Sequence, residues 1–164
     1  MMNKSFELTH TSKNEKREEY VSMNDTVCLL KECNAGCKSA TNSMEQVMGY
    51  VKNNKLKQLI EKYNDKHIKI GDECHDMLNE MNENEKDPNK IAAMFAEMGT
   101  DMKLMMENST HKVADLLVDG CTMGIKSLSE YINKYATAEE KVVNLTRKLI
   151  RLEQDFMEEL LEFL

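Results

Sequence analysis

Residues 36–48 read GCKSATNSMEQVM and residues 120–132 read GCTMGIKSLSEYI, with Ser43 and Ser127 at the same offset from their Gly-Cys pairs. Both stretches carry apolar residues at helical spacing, and each is followed by a short polar turn and a second amphipathic segment. The chain is therefore expected to form two helical hairpins of similar plan joined by a long connection. Around the first stretch, Leu30, Cys33, Cys37, Ala40, Met44, Val47 and Val51 step by alternating threes and fours, which lines one helix face with apolar groups and defines a bundle seam. Asn53-Asn54 makes the turn, with Asn54 as the expected cap of the second helix. There Ile60, Tyr63, His67, Ile70, Cys74 and Met77 keep the same rhythm. One polar residue, His67, thus falls in the middle of an apolar seam.

The second half repeats the plan. NEMNENEKDPNK, residues 79–90, reads as a solvated loop ending in Asp87-Pro88, a cap followed by a residue preset for the first helical turn. IAAMFAEMGTDMKLMM, residues 91–106, predicts a short crossover helix over about 88–107, with a break near Asn108-Ser109-Thr110. A third long helix is expected from His111 to Tyr135, with Val113, Leu117, Cys121, Gly124, Leu128, Tyr131 and Tyr135 inward. Thr137 to Glu140 has the form of a capping box, and Val142, Leu145, Leu149, Leu152, Phe156 and Leu160 mark the seam of the fourth. Two short turns and one long middle connection describe an all-α four-helix bundle with a helical crossover between helices two and three. Residues 1–22 are charged and aperiodic and are expected to be a mobile polar tail or a weak helix, leaving 23–164 as one domain that starts at a cap on Asn24 or Asp25.

The totals agree. A chain of 164 residues is of single-domain size, and one proline, six glycines and 31% charged residues suit long helices with few breaks. The net charge is −7, with the cations scattered among carboxylates; nucleic acid and anionic membrane both need a concentrated cationic face, so neither is an expected partner. No apolar run approaches the roughly 20 residues that span a bilayer, and the polar N-terminus lacks a signal peptide's apolar stretch, so a cytoplasmic location is expected. Five cysteines without a Cys-x-x-Cys pair suggest free thiols packed as small apolar groups. No Ser-His-Asp arrangement, phosphate-binding glycine loop or nucleotide fingerprint nominates a nucleophile. The expectation is a protein that is not an enzyme.

The helix order, the internal two-fold pattern, the crossover and the Asn-rich first turn are similar to the ferritin-like superfamily, over about residues 24–164. The layout most resembles a family of small bacterial ferritin-like bundles. Ferritin-like metal proteins place a Glu on the first helix of each hairpin and a Glu-x-x-His on the second. Here helix two reads Asn64-Asp65-Lys66-His67, which keeps the His, and helix four supplies Glu153 but has Phe156 at the His position. The inward positions of helices one and three hold Cys33, Cys37 and Thr41, then Cys121 and Gly124, without a glutamate. The resemblance implies a bundle with a degenerate metal site.

Three functions compete. The preferred one is a non-enzymatic bundle whose di-metal centre has been lost and which acts through its surface or by forming a homo-oligomer, with no cofactor. The second gathers His67, Glu153, Cys37 and Cys121 around one metal, where mixed thiolate, imidazole and carboxylate donors suit zinc or ferrous iron. The third is a thiol redox sensor using Cys33, Cys37 or Cys121. The bland alternative for His67 is a core hydrogen bond to Tyr63, Ser43 or Ser127. The paired Gly-Cys sites are expected where helices one and three approach closely. Asp72-Glu73-Cys74-His75, Glu107 with His111, and Asp115 with Asp119 offer cation donors on helix faces that are more simply solvated. The methionines from Met94 to Met106 either present an adaptable apolar surface to a partner or, on the plainer account, bury themselves against the bundle.

Overall fold

The structure, a computed structural model, describes the backbone of residues 4–86 and 110–164, with side chains from Lys13 onward. Four helices, α1 (Lys4–Met48), α2 (Asn54–Glu80), α3 (Thr110–Lys134) and α4 (Glu140–Leu160), pack against one another, and a 3-10 turn at Leu161–Phe163 ends the chain. No strand occurs among the described residues. The expected four-helix bundle is present. The expected crossover helix at 88–107 lies outside the described residues, as do Asn108 and Ser109 of the expected break; α3 is described from Thr110.

Side-chain contacts fix the directions. Lys62 and Tyr63 reach Glu159, and His67 reaches Glu153, so α2 and α4 are antiparallel. Asp25 meets Thr137 and Gly36 lies by Leu128, so α1 and α3 are antiparallel as well. Each hairpin is antiparallel by construction, so α2 and α3 run the same way. The end of α2 and the start of α3 therefore sit at opposite ends of the bundle, as a crossover topology requires. Around the square α1 neighbours α2 and α3, α4 neighbours the same two, and α1 also touches α4 across the diagonal.

The seams predicted for α2 and α4 are buried in full, from Ile60 to Met77 and from Val142 to Leu160. In α1, Leu30, Cys33, Cys37, Met44 and Val47 are buried while Ala40 is only partly so, as is Val51 in the turn beyond the helix. Tyr63 stacks on Phe156 with centroids 4.5 Å apart and locks α2 to α4 beside His67.

Three expectations about helix ends change. The α2 cap is Asn53, not Asn54: its extended backbone lets Oδ1 accept from the Lys55 and Leu56 N–H groups at 2.9 and 3.1 Å. The capping box at Thr137–Glu140 does not form. Thr137 instead donates its N–H and hydroxyl to Asp25, at 3.1 and 2.7 Å, and the Glu139 N–H goes to Thr26 Oγ1 at 2.8 Å. Helix α1 thus satisfies donors that the α3–α4 turn leaves free, which makes this cap a tertiary clamp. Finally, α1 spans Lys4–Met48 with no break at Asn24 or Asp25, so the expected cap there is absent and the described part of the charged stretch is helical, the second of its two expected forms; residues 13–21 are exposed along it.

Helix α2 ends in a Schellman motif. Asn82 takes φ 55°, and the Asn82 and Glu83 N–H groups return to the Asn79 and Leu78 carbonyls. The chain then runs back along α1 through the ion pairs Glu83–Lys31 and Lys86–Glu32, both at 2.8 Å, and Glu85–Lys38.

Candidate functional site

Small residues of the internal repeat line one shared space. Ala35, Gly36, Ser39 and Ser43 on α1 lie opposite Gly120, Gly124 and Ser127 on α3, and between them is a slit of about 230 Å³. A Cβ at Gly120 would meet nothing within 4 Å, and one at Gly36 would make ordinary contact with Leu128 and Leu149 at 3.6 Å. The expected close approach is absent at Gly120, whereas at Gly36 α1 is in ordinary contact with Leu128 of α3. Close packing occurs elsewhere, where Gly71 of α2 meets Cys37 and an added Cβ would lie 3.3 Å from the Cys37 Cβ. Met44, Leu117, Leu128 and Phe156 supply apolar wall, and Lys86 with Glu32 stands by the slit.

At the inner wall, His67 of α2 and Glu153 of α4 meet. His67 Nε2 lies 2.9 Å from Glu153 Oε1, and Nδ1 lies 2.7 Å from the Tyr63 carbonyl, one helical turn back. Both ring nitrogens face oxygen acceptors, so both contacts need a proton: one on Nδ1, one in the Nε2–Oε1 bond. The pair is neutral as a unit wherever that second proton rests, which is how two polar groups are tolerated in an apolar core. Gly124 leaves space beside it, since a Cβ there would be 3.5 Å from Oε1.

Of the four residues expected to share a metal, the structure brings Glu153 into contact with His67, sets Cys121 near that carboxylate and separates Cys37. Burial, then the nearby Glu153 carboxylate, pushes the Cys121 thiol well above its ordinary range. Cys37 belongs to a different cluster. Cys37 and Cys74 lie with Cys33 in the core; their interaction with its sulfur, reinforced by burial, raises both thiols and holds Cys33 below the ordinary thiol range. Among the described residues no three His, Cys, Asp or Glu side chains are placed to hold one metal ion. The inward positions of α1 and α3 carry cysteine and glycine where a di-metal centre needs carboxylates, so the residues present do not fit one.

The remaining candidates resolve simply. His75 is exposed and bonds Glu85 and Asn79, each at 2.9 Å. Asp115, Asp119 and His111 are exposed, and Glu107 lies outside the described residues. The hydrogen bond of His67 runs to Glu153 and to the Tyr63 backbone, not to Ser43 or Ser127. Two features escaped the sequence. Cys74 completes the thiol cluster, and its place seven residues after His67 on the same seam was the available signal. Asn34 is fully buried, donating from Nδ2 to the Gly71 carbonyl at 3.2 Å while its Oδ1 has no partner among the described residues; nothing in the local pattern marks it.

No helix among the described residues is long and apolar enough to cross a membrane. No family model, curated protein or solved structure matches the chain.

Proposed function

We propose that this chain is a ferritin-like four-helix bundle that has lost its di-metal centre and acts as a non-enzymatic binding protein, receiving a small molecule in the slit between α1 and α3. The observation that carries this is the roughly 230 Å³ space that two facing rows of small residues keep open above the His67–Glu153 pair. Small residues on facing helices ordinarily let backbones close up; here they line a groove that is partly open to the outside and so accessible to a ligand. The signal of occupancy then leaves through the surface or through self-association, for which the arm of α1 offers exposed Tyr20 (74%) and Met23 (61%). Native mass spectrometry of gently purified protein tests this. A bound small molecule, absent from a Gly120→Leu variant whose side chain fills the slit, supports binding; no adduct, and no stabilisation by any of a broad panel of small molecules, sinks it.

A second reading places a single iron or zinc on His67 and Glu153. What favours it is the anchoring of Nδ1 on a backbone carbonyl, the contact that commonly orients a metal-bound imidazole. Elemental analysis of protein purified anaerobically, without chelator or affinity metal, separates the two. About one equivalent of metal that disappears in His67→Leu would replace the first reading by the second.

A further inference from the structure

Beyond the bundle, α1 carries an arm with two oppositely charged faces. Toward the N-terminus, the last hydrogen bond from α1 to another element among the described residues runs from Ser22 Oγ to the Thr137 carbonyl, 2.8 Å, at the α3–α4 turn. The helix continues without a break back to Lys4, about 27 Å further at about 1.5 Å per residue. Residues 13–21 are exposed along it. At about 100° per residue, Lys13, Lys16 and Arg17 fall in one sector of about 100° and Glu15, Glu18 and Glu19 in another, with the sector centres about 160° apart. Exposed Tyr20 and Met23 follow one and two turns after Lys16 and extend the basic face toward the bundle. Within one chain this pattern is unfavourable. Of the charged pairs three or four positions apart in 13–19, Lys13–Lys16, Lys13–Arg17, Glu15–Glu18 and Glu15–Glu19 are of like sign, and Lys16–Glu19 alone is of opposite sign. None of the six charges is in an ion pair with another described residue. Helices in proteins draw most of their stability from packing a face, and residues 13–21 pack none.

We infer that this arm is a contact between copies of the chain, the basic face of one arm lying against the acidic face of the next. A partner of one sign would satisfy one face and repel the other; a second copy is the partner whose charges match both. This rests on the self-association branch of the reading above and names its surface, and it does not require the slit to be occupied. A contact between unlike faces is heterologous, so each added copy leaves one face of each sign open and association continues past the dimer as concentration rises. Exposed ion pairs are individually weak and screened by salt, so the contact is a loose one that high ionic strength dissolves.

Sedimentation equilibrium of the full chain, from about 10 µM to about 1 mM and at about 20 mM and about 500 mM salt, tests the assignment. The expected result is a mass that rises with concentration at low salt, with the association weakened at least about 10-fold at high salt. Two charge-reversed chains complete the test, one with Lys13→Glu, Lys16→Glu and Arg17→Glu, the other with Glu15→Lys, Glu18→Lys and Glu19→Lys. All six positions are exposed and precede the bundle contact at Ser22, so neither set touches the core. Each variant alone carries one sign on its arm and stays monomeric; mixed in equal amounts, the two associate. A wild-type chain that stays monomeric at about 1 mM overturns the inference and leaves slit binding to be judged by its own adduct. Association that persists in either variant alone lies on another surface and also overturns it. Variants that stay monomeric when mixed show that pairing of the two faces is not the contact, with the same result.

Discussion

Raising the pH will unfold this protein through its thiols. Cys37, Cys74 and Cys121 are buried, and each is held well above the ordinary thiol range. In the unfolded chain each ionises near pH 8.5. A group whose folded pKa is raised stabilises the fold fully below the unfolded pKa and loses that stability as the pH climbs past it, because only the unfolded state then releases its proton. Each such thiol costs about 1.4 kcal/mol per pH unit above pH 8.5. Three together cost about 4 kcal/mol per unit, or about 6 kcal/mol by pH 10, comparable with the whole stability of a domain of this size. Cys33 is shifted the other way and adds nothing to this loss. Tyr63, raised by burial and by its hydrogen bond to Glu159, steepens the loss once the unfolded phenol titrates near pH 10. Urea unfolding followed by circular dichroism, with a phosphine reductant at half-unit steps from pH 7 to 10, measures the slope. Cys74→Ala will lower overall stability by a pH-independent amount and reduce the slope above pH 8.5 by about one third. A wild-type slope no steeper than one thiol's 1.4 kcal/mol per unit would refute the reasoning.

Other outcomes follow from single contacts. Gly120→Leu will leave the melting temperature unchanged or raise it, since its Cβ meets open space and leaving glycine gains up to about 1 kcal/mol of helix propensity; a marked fall would restore the close-approach view. Gly71→Leu will destabilise by about 1–3 kcal/mol through overpacking against Cys37, read from the urea midpoint. Aromatic disulfide reagent added to native protein will label the half-buried Cys28 quickly and the other four cysteines only at the rate of opening; rapid labelling of Cys33 would revive the redox-sensor reading. At low pH, Glu85 is held below the usual carboxylate range by Lys38, with a further contribution from His75, and Glu159 by Lys62 and then Tyr63. Lowered folded pKa values give stability that is present above about pH 4.3 and lost as the pH falls through the folded values, so the double variant Glu85→Gln, Glu159→Gln will show a shallower acid decline in thermal melts.

The seams of α2 and α4 were legible because burial alone decides them: a residue at the right phase of an amphipathic helix is inside whatever lies opposite. The partner across the core was not. Periodicity put His67 and Glu153 inward, but a rotation of one residue would have exchanged Glu153 for Cys121, and only packed side chains such as Tyr63 on Phe156 fix that rotation. The glycines misled for a related reason, since a small residue permits a close neighbour without requiring one. Gly71, which does have the close neighbour, carries no repeat to draw notice. The capping box failed because Asp25 and Thr26, more than a hundred positions away, offer Thr137 and Glu139 better acceptors than their own turn. Local sequence cannot register a competitor that arrives only on folding.

That contact between α1 and the α3–α4 turn also sets how the two hairpins can move. It pins α1 to α3 at one end of their shared length, so widening between them is a rotation about a fulcrum and not a parallel separation. Gly124 stands about 20 Å from Thr137 along α3 and Thr110 about 40 Å, so a spread of about 1 Å beside Glu153 becomes about 2 Å where α3 begins. The bundle is a lever with its short arm at the His67–Glu153 pair and its long arm at the start of α3.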